Sequence, residues 1–289
     1  MRAAGGSDLH THSSISDGTE PPADLVRSAV AAGLGTVALT DHDTTAGWDE
    51  AVTEAELTGI GLVPGIELST RLEWRSVHVL GYLIDPTDPA LVAETARIRE
   101  SRRTRARRIV ERIARDYPLT WDDVLAQTTP GATVGRPHIA DALVARGIER
   151  DRSAAFDGVL HWRRGYVEPH YAPTPVEGVR LIVAAGGVPV LAHPGASGRD
   201  RVLPQSVVGE LVDAGLFGLE LYHRENTPTG RERVAELARH FGLAVTGSSD
   251  YHGSGKPNRL GENTTAPEVL ERILELGSGT EPVLPALAA

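Results

Sequence analysis

Apolar, strand-like runs recur along this chain, and each one ends in, or carries, a histidine or a carboxylate. That recurrence constrains the fold more than any other feature. DLHTH at 8–12 opens the series, and TDHDT at 40–44 directly follows the run TVAL. PGIELST at 64–70 and VHVLGYLI at 77–84 come next, and His193 and the pair Asp250 and His252 follow two later runs. A strand places residues i and i+2 on one face, so His10 and His12 share a direction. Taken singly, each histidine is an ordinary core or surface residue, and a lone Asp in a turn is usually a cap. An α/β barrel gathers the C-terminal ends of its strands around one pocket, which is where such folds build active sites.

Between the strand-like runs lie helical patterns. Residues 21–33 have Pro21 and Pro22 at the start, Leu25, Val26, Ala29 and Val30 on one face, and Gly33 at the end. Helices are expected at about 46–58, 175–185, 204–214, 230–241 and 267–276, with strands at 36–40, 188–192, 217–222 and 243–247. This alternation predicts parallel βα units closing into a barrel. The rhythm breaks between about 86 and 174. A long helical stretch there holds nine arginines from Arg97 to Arg115. Shorter helical patterns follow at about 120–127, 136–146 and 151–157. The expected organisation is a barrel from 1–85 and 175–289, with 86–174 as a helical insertion over its mouth. An arginine run is ordinarily a solvated helix face; the alternative is that a few of these side chains face the cleft and attract phosphates.

The 289 residues suffice for one large α/β domain with an insertion. A net charge of −10 disfavours broad adhesion to nucleic acid or anionic membranes. It leaves room for a phosphorylated substrate, because bound metal ions reverse the local field. With no cysteine, a transition-metal site has only imidazoles and carboxylates to use. No signal-peptide pattern and no membrane-length apolar window is evident, so a cytoplasmic protein without membrane contact is expected. Nothing points to a stable protein partner.

His10, His12, His42, His78, His193 and His252, with Asp17, Glu67 and Asp250, are enough ligands for two or three divalent ions. A mixed nitrogen and oxygen set suits Zn²⁺, Mn²⁺ or Fe²⁺ better than Ca²⁺. Such ions lower the pKa of bound water and neutralise phosphoryl oxygens, so a hydroxide shared between two ions can attack phosphorus.

In order and spacing, DLHTHSSISDGT, TDHDT, PGIELST, HVLGYLID, AHPG and SDYHG resemble the PHP (polymerase and histidinol phosphatase) superfamily. VGRPHIADAL at 134–143 extends the likeness toward its small bacterial nucleotide phosphoesterases and RNA 5′-end exonucleases. The resemblance implies a distorted (β/α)₇ barrel holding up to three metals. His10, His12, Glu67 and Asp250 would hold one ion. Glu67, His78 and His193 would hold a second, with Glu67 bridging, and Asp17, His42 and His252 a third. Histidinol phosphatase relatives often carry His where this chain has Asp17, which favours the nucleotide branch.

The implied activity is hydrolysis of phosphate from a nucleoside monophosphate, a 3′,5′-bisphosphate or a short RNA end. Glu67, Asp250 and His223 are the expected catalytic residues, His223 as proton donor to the leaving group. Arg136, His138 and Arg199 are candidate phosphate contacts, because the guanidinium fork matches phosphate oxygens. Trp162, Tyr166 and Tyr171 are available as a stacking wall, though ordinary packing is the better account of them. Asp8, Asp41 and Asp43 are expected to orient ligands or shape turns rather than to ligate. Three other readings remain: an amidohydrolase-type C–N hydrolase, a histidinol-phosphate phosphatase, and a non-enzymatic PHP-like scaffold. The first commonly needs a strand-borne carbamylated lysine, and the only lysine here, Lys256, lies outside every strand-like run.

Overall fold

The structure is a computed structural model that describes residues 5–196 and 202–284. Its centre is a seven-stranded sheet in the order β1–β2–β3–β4–β5–β6–β7. The strands are β1 (Ser7–Asp8), β2 (Thr36–Leu39), β3 (Gly61–Leu72), β4 (Arg75–Tyr82), β5 (Val188–Leu191), β6 (Gly218–Tyr222) and β7 (Ala244–Gly247). The barrel is nearly closed. The amide of His12 donates to the carbonyl of Tyr251 at 2.8 Å, and Ser7 bridges Thr265, which joins the first strand region to the last.

Helices follow the strands as the apolar periodicity predicts. Helix α1 (Pro22–Ala31) has proline at its first position and buries Leu25, Val26 and Ala29. Helix α2 (Trp48–Thr58) stops at Gly59, whose φ of 74° is open to glycine at no steric cost. On the far side lie α7 (Pro175–Ala184), α8 (Gln205–Asp213), α9 (Pro228–Phe241) and α10 (Pro267–Leu276). Thr174 and Glu177 form a capping box at the start of α7. Burying each large aliphatic side chain between helix and sheet contributes roughly 1.5–3 kcal/mol.

One expectation is corrected. A uniformly parallel barrel would need a crossover between β3 and β4, but the two form a hairpin. β4 runs antiparallel to both β3 and β5, while the remaining pairs are parallel. The chain from Leu72 to Arg75 turns through Glu73 and Trp74, too few residues for a helix.

Leu9, Ala38, Val63, Leu80, Tyr82 and Val190 share one apolar cluster that includes Ile273 of α10. The Tyr82 hydroxyl donates to the Leu9 carbonyl at 3.0 Å inside it. Between β4 and α7 the chain forms α3 (Pro89–Ile113), α4 (Trp121–Leu125), α5 (Arg136–Ala145) and α6 (Arg152–Asp157). These helices share a core of their own, built on Ala106, Ile109, Ile139, Leu143 and Leu160. No helix among the described residues is long and apolar enough to cross a membrane.

Candidate metal centre

The strand ends and the loops after them bring all nine expected ligand side chains together. Glu67, on β3, lies at the centre. Its Oε2 is 3.3 Å from His10 Nε2, 3.1 Å from His12 Nε2 and 3.1 Å from His42 Nδ1. Its Oε1 is 2.6 Å from His78 Nδ1 and 3.2 Å from His193 Nε2. Asp250 Oδ1 is 3.4 Å from His10 Nε2 and 3.2 Å from His12 Nε2. Asp17 lies 3.1 Å from His252 Nε2 and 3.7 Å from His42 Nε2. Among the described residues, three sets have donor atoms close enough to hold an ion: His10, His12, Glu67 and Asp250; His42, Glu67 and His78; and His12, Asp17, His42 and His252.

Outer contacts aim the imidazoles. His10 Nδ1 hydrogen-bonds Glu220 Oε1 at 3.1 Å, which leaves the Nε2 lone pair facing the cluster. His252 Nδ1 donates to the Asp250 carbonyl at 2.8 Å, to the same effect. Asp41 accepts from the Ser13 amide and from the hydroxyls of Ser13 and Ser16, which shapes the loop carrying Asp17. Asp8 accepts from the amides of Ser249 and Gly261 and so ties the loop of Asp250 to β1. Asp43, His193 and Asp250 adopt positive φ values of 55°, 32° and 56°. Non-glycine residues held there carry backbone strain, of the kind that clusters at functional sites.

The site fits divalent cations. Burial would push the Glu67 carboxyl up, but His42, His78 and His10 outweigh it and hold it well below the usual range. Burial would likewise raise Asp250, but Lys256 and His252 hold it low. His12 shows the converse. Burial opposes its charge, yet Asp250 and Glu67 raise it to about 9. The cluster therefore calls for positive charge. His42 Nδ1 and His252 Nε2 are buried with no hydrogen-bond partner among the described residues. Buried nitrogens left in that state are costly, and metal coordination satisfies them. The donor set, imidazole and carboxylate without thiolate, suits zinc, manganese or iron.

A Cβ on Gly18 would lie 2.2 Å from the His12 carbonyl oxygen. Gly18→Ala is expected to shift the Asp17 loop and cost about 1–3 kcal/mol. Thermal melting and metal analysis check this; an unchanged melting temperature with full metal content would refute it.

The other expected residues are distributed unevenly. His223 is buried beside the cluster, with Nε2 at 3.5 Å from Asp250 Oδ2. Its Nδ1 accepts from the Glu225 amide, so its proton sits on Nε2. His138 lines a cleft of about 600 Å³, together with Gly18, Thr19, Asp141 and Arg152. Its Nδ1 accepts from the Gly135 amide, and the Ser16 backbone hydrogen-bonds the ring, so it clamps α5 to the Asp17 loop. Arg136 is exposed, with its guanidinium 5.7 Å from the Phe156 ring centre. Arg199 lies outside the described residues. Trp162 is exposed, Tyr166 packs edge-on to Tyr117, and Tyr171 carries the Arg97 guanidinium on its face.

Sequence reasoning missed Glu220, which holds His10 and also accepts from the His193 amide at 2.7 Å. Its signal was present: a carboxylate between Leu219 and Leu221 faces the opposite side from them. It also missed Lys256, whose Nζ donates to Asp250 Oδ2 at 2.7 Å. Lys256 touches Asp250 at the rim, and the carboxylate shared by five imidazoles is Glu67, so no lysine takes the bridging place.

A barrel that collects imidazoles and carboxylates from both ends of its chain into one buried cluster defines the metal-dependent hydrolases as the class. Residues 8–118 match the model of the PHP domain. The chain is 34% identical over 270 residues to the 5′-3′ exoribonuclease Rnm of Salmonella typhimurium, covering 92% of each chain. It is 33% identical over 269 residues to a 3′,5′-nucleoside bisphosphate phosphatase of Chromobacterium violaceum, covering 92% of this chain and 94% of that one. A crystal structure assigned as a metal-dependent phosphoesterase from Bifidobacterium adolescentis superposes with a TM-score of 0.92 at 45% identity, over 95% of this chain and 97% of that one. The chain belongs to the PHP domain family.

Proposed function

We propose that this metal-dependent phosphoesterase removes phosphate from small nucleotides, a nucleoside monophosphate or 3′,5′-bisphosphate, or from short RNA ends. The observation that carries the reading is the convergence of five imidazoles on one buried carboxylate, Glu67, with Asp250 beside them. The relatives' names, an exoribonuclease and a nucleoside bisphosphate phosphatase, support this substrate class. His10, His12, Glu67 and Asp250 would hold one ion, Glu67, His78 and His193 a second, and Asp17, His42 and His252 a third. Two or three such ions, with manganese, zinc and iron the candidates, supply Lewis acidity: they make water a better nucleophile and offset charge on the phosphoryl oxygens.

The protein's own groups do the rest. Glu220 and the Asp250 carbonyl fix the ring orientations of His10 and His252. Hydrolysis forms a bond from water oxygen to phosphorus and breaks the phosphorus–ester bond, and the leaving oxygen must take a proton. His223 presents Nε2–H beside Asp250 and is the proposed donor. Residues 86–174 are proposed as a cap that limits water at the barrel mouth.

The test is phosphate release from 3′,5′-phosphoadenosine phosphate, AMP and histidinol phosphate, each with Mn²⁺ and with chelator. Release from a nucleotide that stops in chelator is the expected outcome. Turnover of histidinol phosphate alone, or of none of the three by protein shown to carry metal, would overturn it.

A further inference from the structure

The loop that carries Asp17 is held from the insertion at three consecutive carbonyls. Inside the loop, the amides of Ser16 and Gly18 donate to the Ser13 carbonyl at 3.1 and 3.0 Å and close a tight turn. The carbonyls of Ile15, Ser16 and Asp17 each take a donor from the insertion. The Thr133 amide, just before α5, donates to Ile15 at 3.0 Å. His138, in the first turn of α5, accepts from the Gly135 amide on Nδ1 and gives its other ring N–H to Ser16. Arg152, at the start of α6, donates from Nη1 to the Asp17 carbonyl at 3.1 Å. A buried carbonyl without a partner is costly, so each bond favours the docked insertion.

Arg152 is the most constrained of the three. Its Nε donates to Asp141 Oδ1 at 2.8 Å and its Nη2 to Asp141 Oδ2, a paired contact that fixes the guanidinium plane against α5. A Cβ on Gly255 would lie 2.2 Å from Arg152 Nη1, so the nitrogen that meets Asp17 also lies against the loop after His252. Thr19 joins those two loops, since its amide and its hydroxyl both donate to the His252 carbonyl. One guanidinium thus braces both loops that bring Asp17 and His252 to His12 and His42. The other two candidate sets contain neither Asp17 nor His252. The cleft of about 600 Å³ runs along the same seam, with Gly18 and Thr19 on one side and Asp141 and Val144 on the other. Discrete bonds rather than continuous packing therefore make this contact.

We propose that Arg152 is a positioning residue for the ion held by His12, Asp17, His42 and His252, and that this ion and the insertion fasten one another. The proposal rests on the reading of the cluster as a metal centre. With α5 and α6 docked, Arg152, His138 and Thr133 keep the Asp17 carboxylate turned toward His42 and His252. With them undocked, the loop loses its three outer bonds and Asp17 loses its aim, so the ion binds weakly. Coupling of this kind is reciprocal: whatever tightens the ion when the insertion docks tightens the insertion equally when the ion binds. The insertion then sets how many ions the centre holds as well as covering it.

The experiment measures Mn²⁺ binding to the full chain by competition with a chelator, and amide hydrogen exchange across α5 and α6, in wild type, Arg152→Met, Arg152→Lys and Asp17→Asn. Circular dichroism and retention of the remaining ions establish that each variant is assembled. Losing an outer contact of a metal ligand typically costs about 10–100-fold in affinity. The weakest-bound ion is therefore expected to bind about tenfold or more less tightly in Arg152→Met, with the others unchanged, and to recover in part in Arg152→Lys. In wild type, filling that last site should slow exchange in α5 and α6. Asp17→Asn keeps its carbonyl, and with it the bond to Arg152, yet should lose the slowing, as should Arg152→Met. A side chain that merely stabilises the insertion would change exchange equally with and without Mn²⁺ and leave every affinity in place. That result overturns the proposal, as does a wild type in which Mn²⁺ leaves exchange in α5 and α6 unchanged. Wild type that takes up no ion at all overturns the metal reading itself, and this proposal with it.

Discussion

Glu67→Gln is expected to reduce phosphate release by about 10³-fold or more and to lower the metal content of the purified protein. One carboxylate serves His10, His12, His42, His78 and His193, with both oxygens engaged between 2.6 and 3.3 Å. An amide there removes the negative charge and turns an NH₂ group toward nitrogens that have to present lone pairs to a cation. Metal stabilisation of a phosphoryl transition state is worth several kcal/mol, and each 1.36 kcal/mol is a tenfold change in rate. Steady-state kinetics with elemental analysis of the same sample checks this. A glutamine variant with wild-type metal content and rate would show that Glu67 is only a structural partner of the histidines.

Stripping the metals is expected to cost the fold nearly as much as it costs the chemistry. The nine clustered side chains are almost entirely buried, and two of their nitrogens have no hydrogen-bond partner among the described residues. An ion bound only to the folded state, at a thousandfold excess over its dissociation constant, contributes about 4 kcal/mol. For a chain of this size that corresponds to roughly 8–16 °C in melting temperature. Calorimetry in chelator, then after adding back Mn²⁺ or Zn²⁺, measures it. A melting temperature that chelator leaves in place, with activity intact, would rule out a metal-dependent site.

Much of this was legible in the chain. The histidines and carboxylates follow apolar runs, and period-two alternation says which side of a strand they face, so the cluster could be listed before any fold was known. The direction of β4 could not. VHVLGYLI has the same alternation whichever way it runs, and only the two residues Glu73 and Trp74 between it and β3 decide for a hairpin. Glu220 was hidden because a single carboxylate in a short strand looks like a solvent-facing residue until the barrel closes around it. Arg102 and Arg105 were hidden for the opposite reason. They sit in a run of nine arginines that has the look of a solvated helix, yet both are buried, Arg102 where α3 meets Asp43 and Ser69. That placement is a long-range packing result which no local pattern encodes.

The seam of the barrel has a consequence for how the protein matures. Thr11 meets Tyr251, and Asp8 accepts from Ser249 across 241 residues of sequence. His10, His12 and Asp17 therefore leave the ribosome long before Asp250 and His252 exist to complete their sets. A nascent chain can present His42, Glu67 and His78 together but holds only part of the two sets that include Asp250 or His252, and tight metal uptake there waits for the last strand to dock. The metal centre thus doubles as a clasp, fastened when synthesis and folding of the whole chain are done.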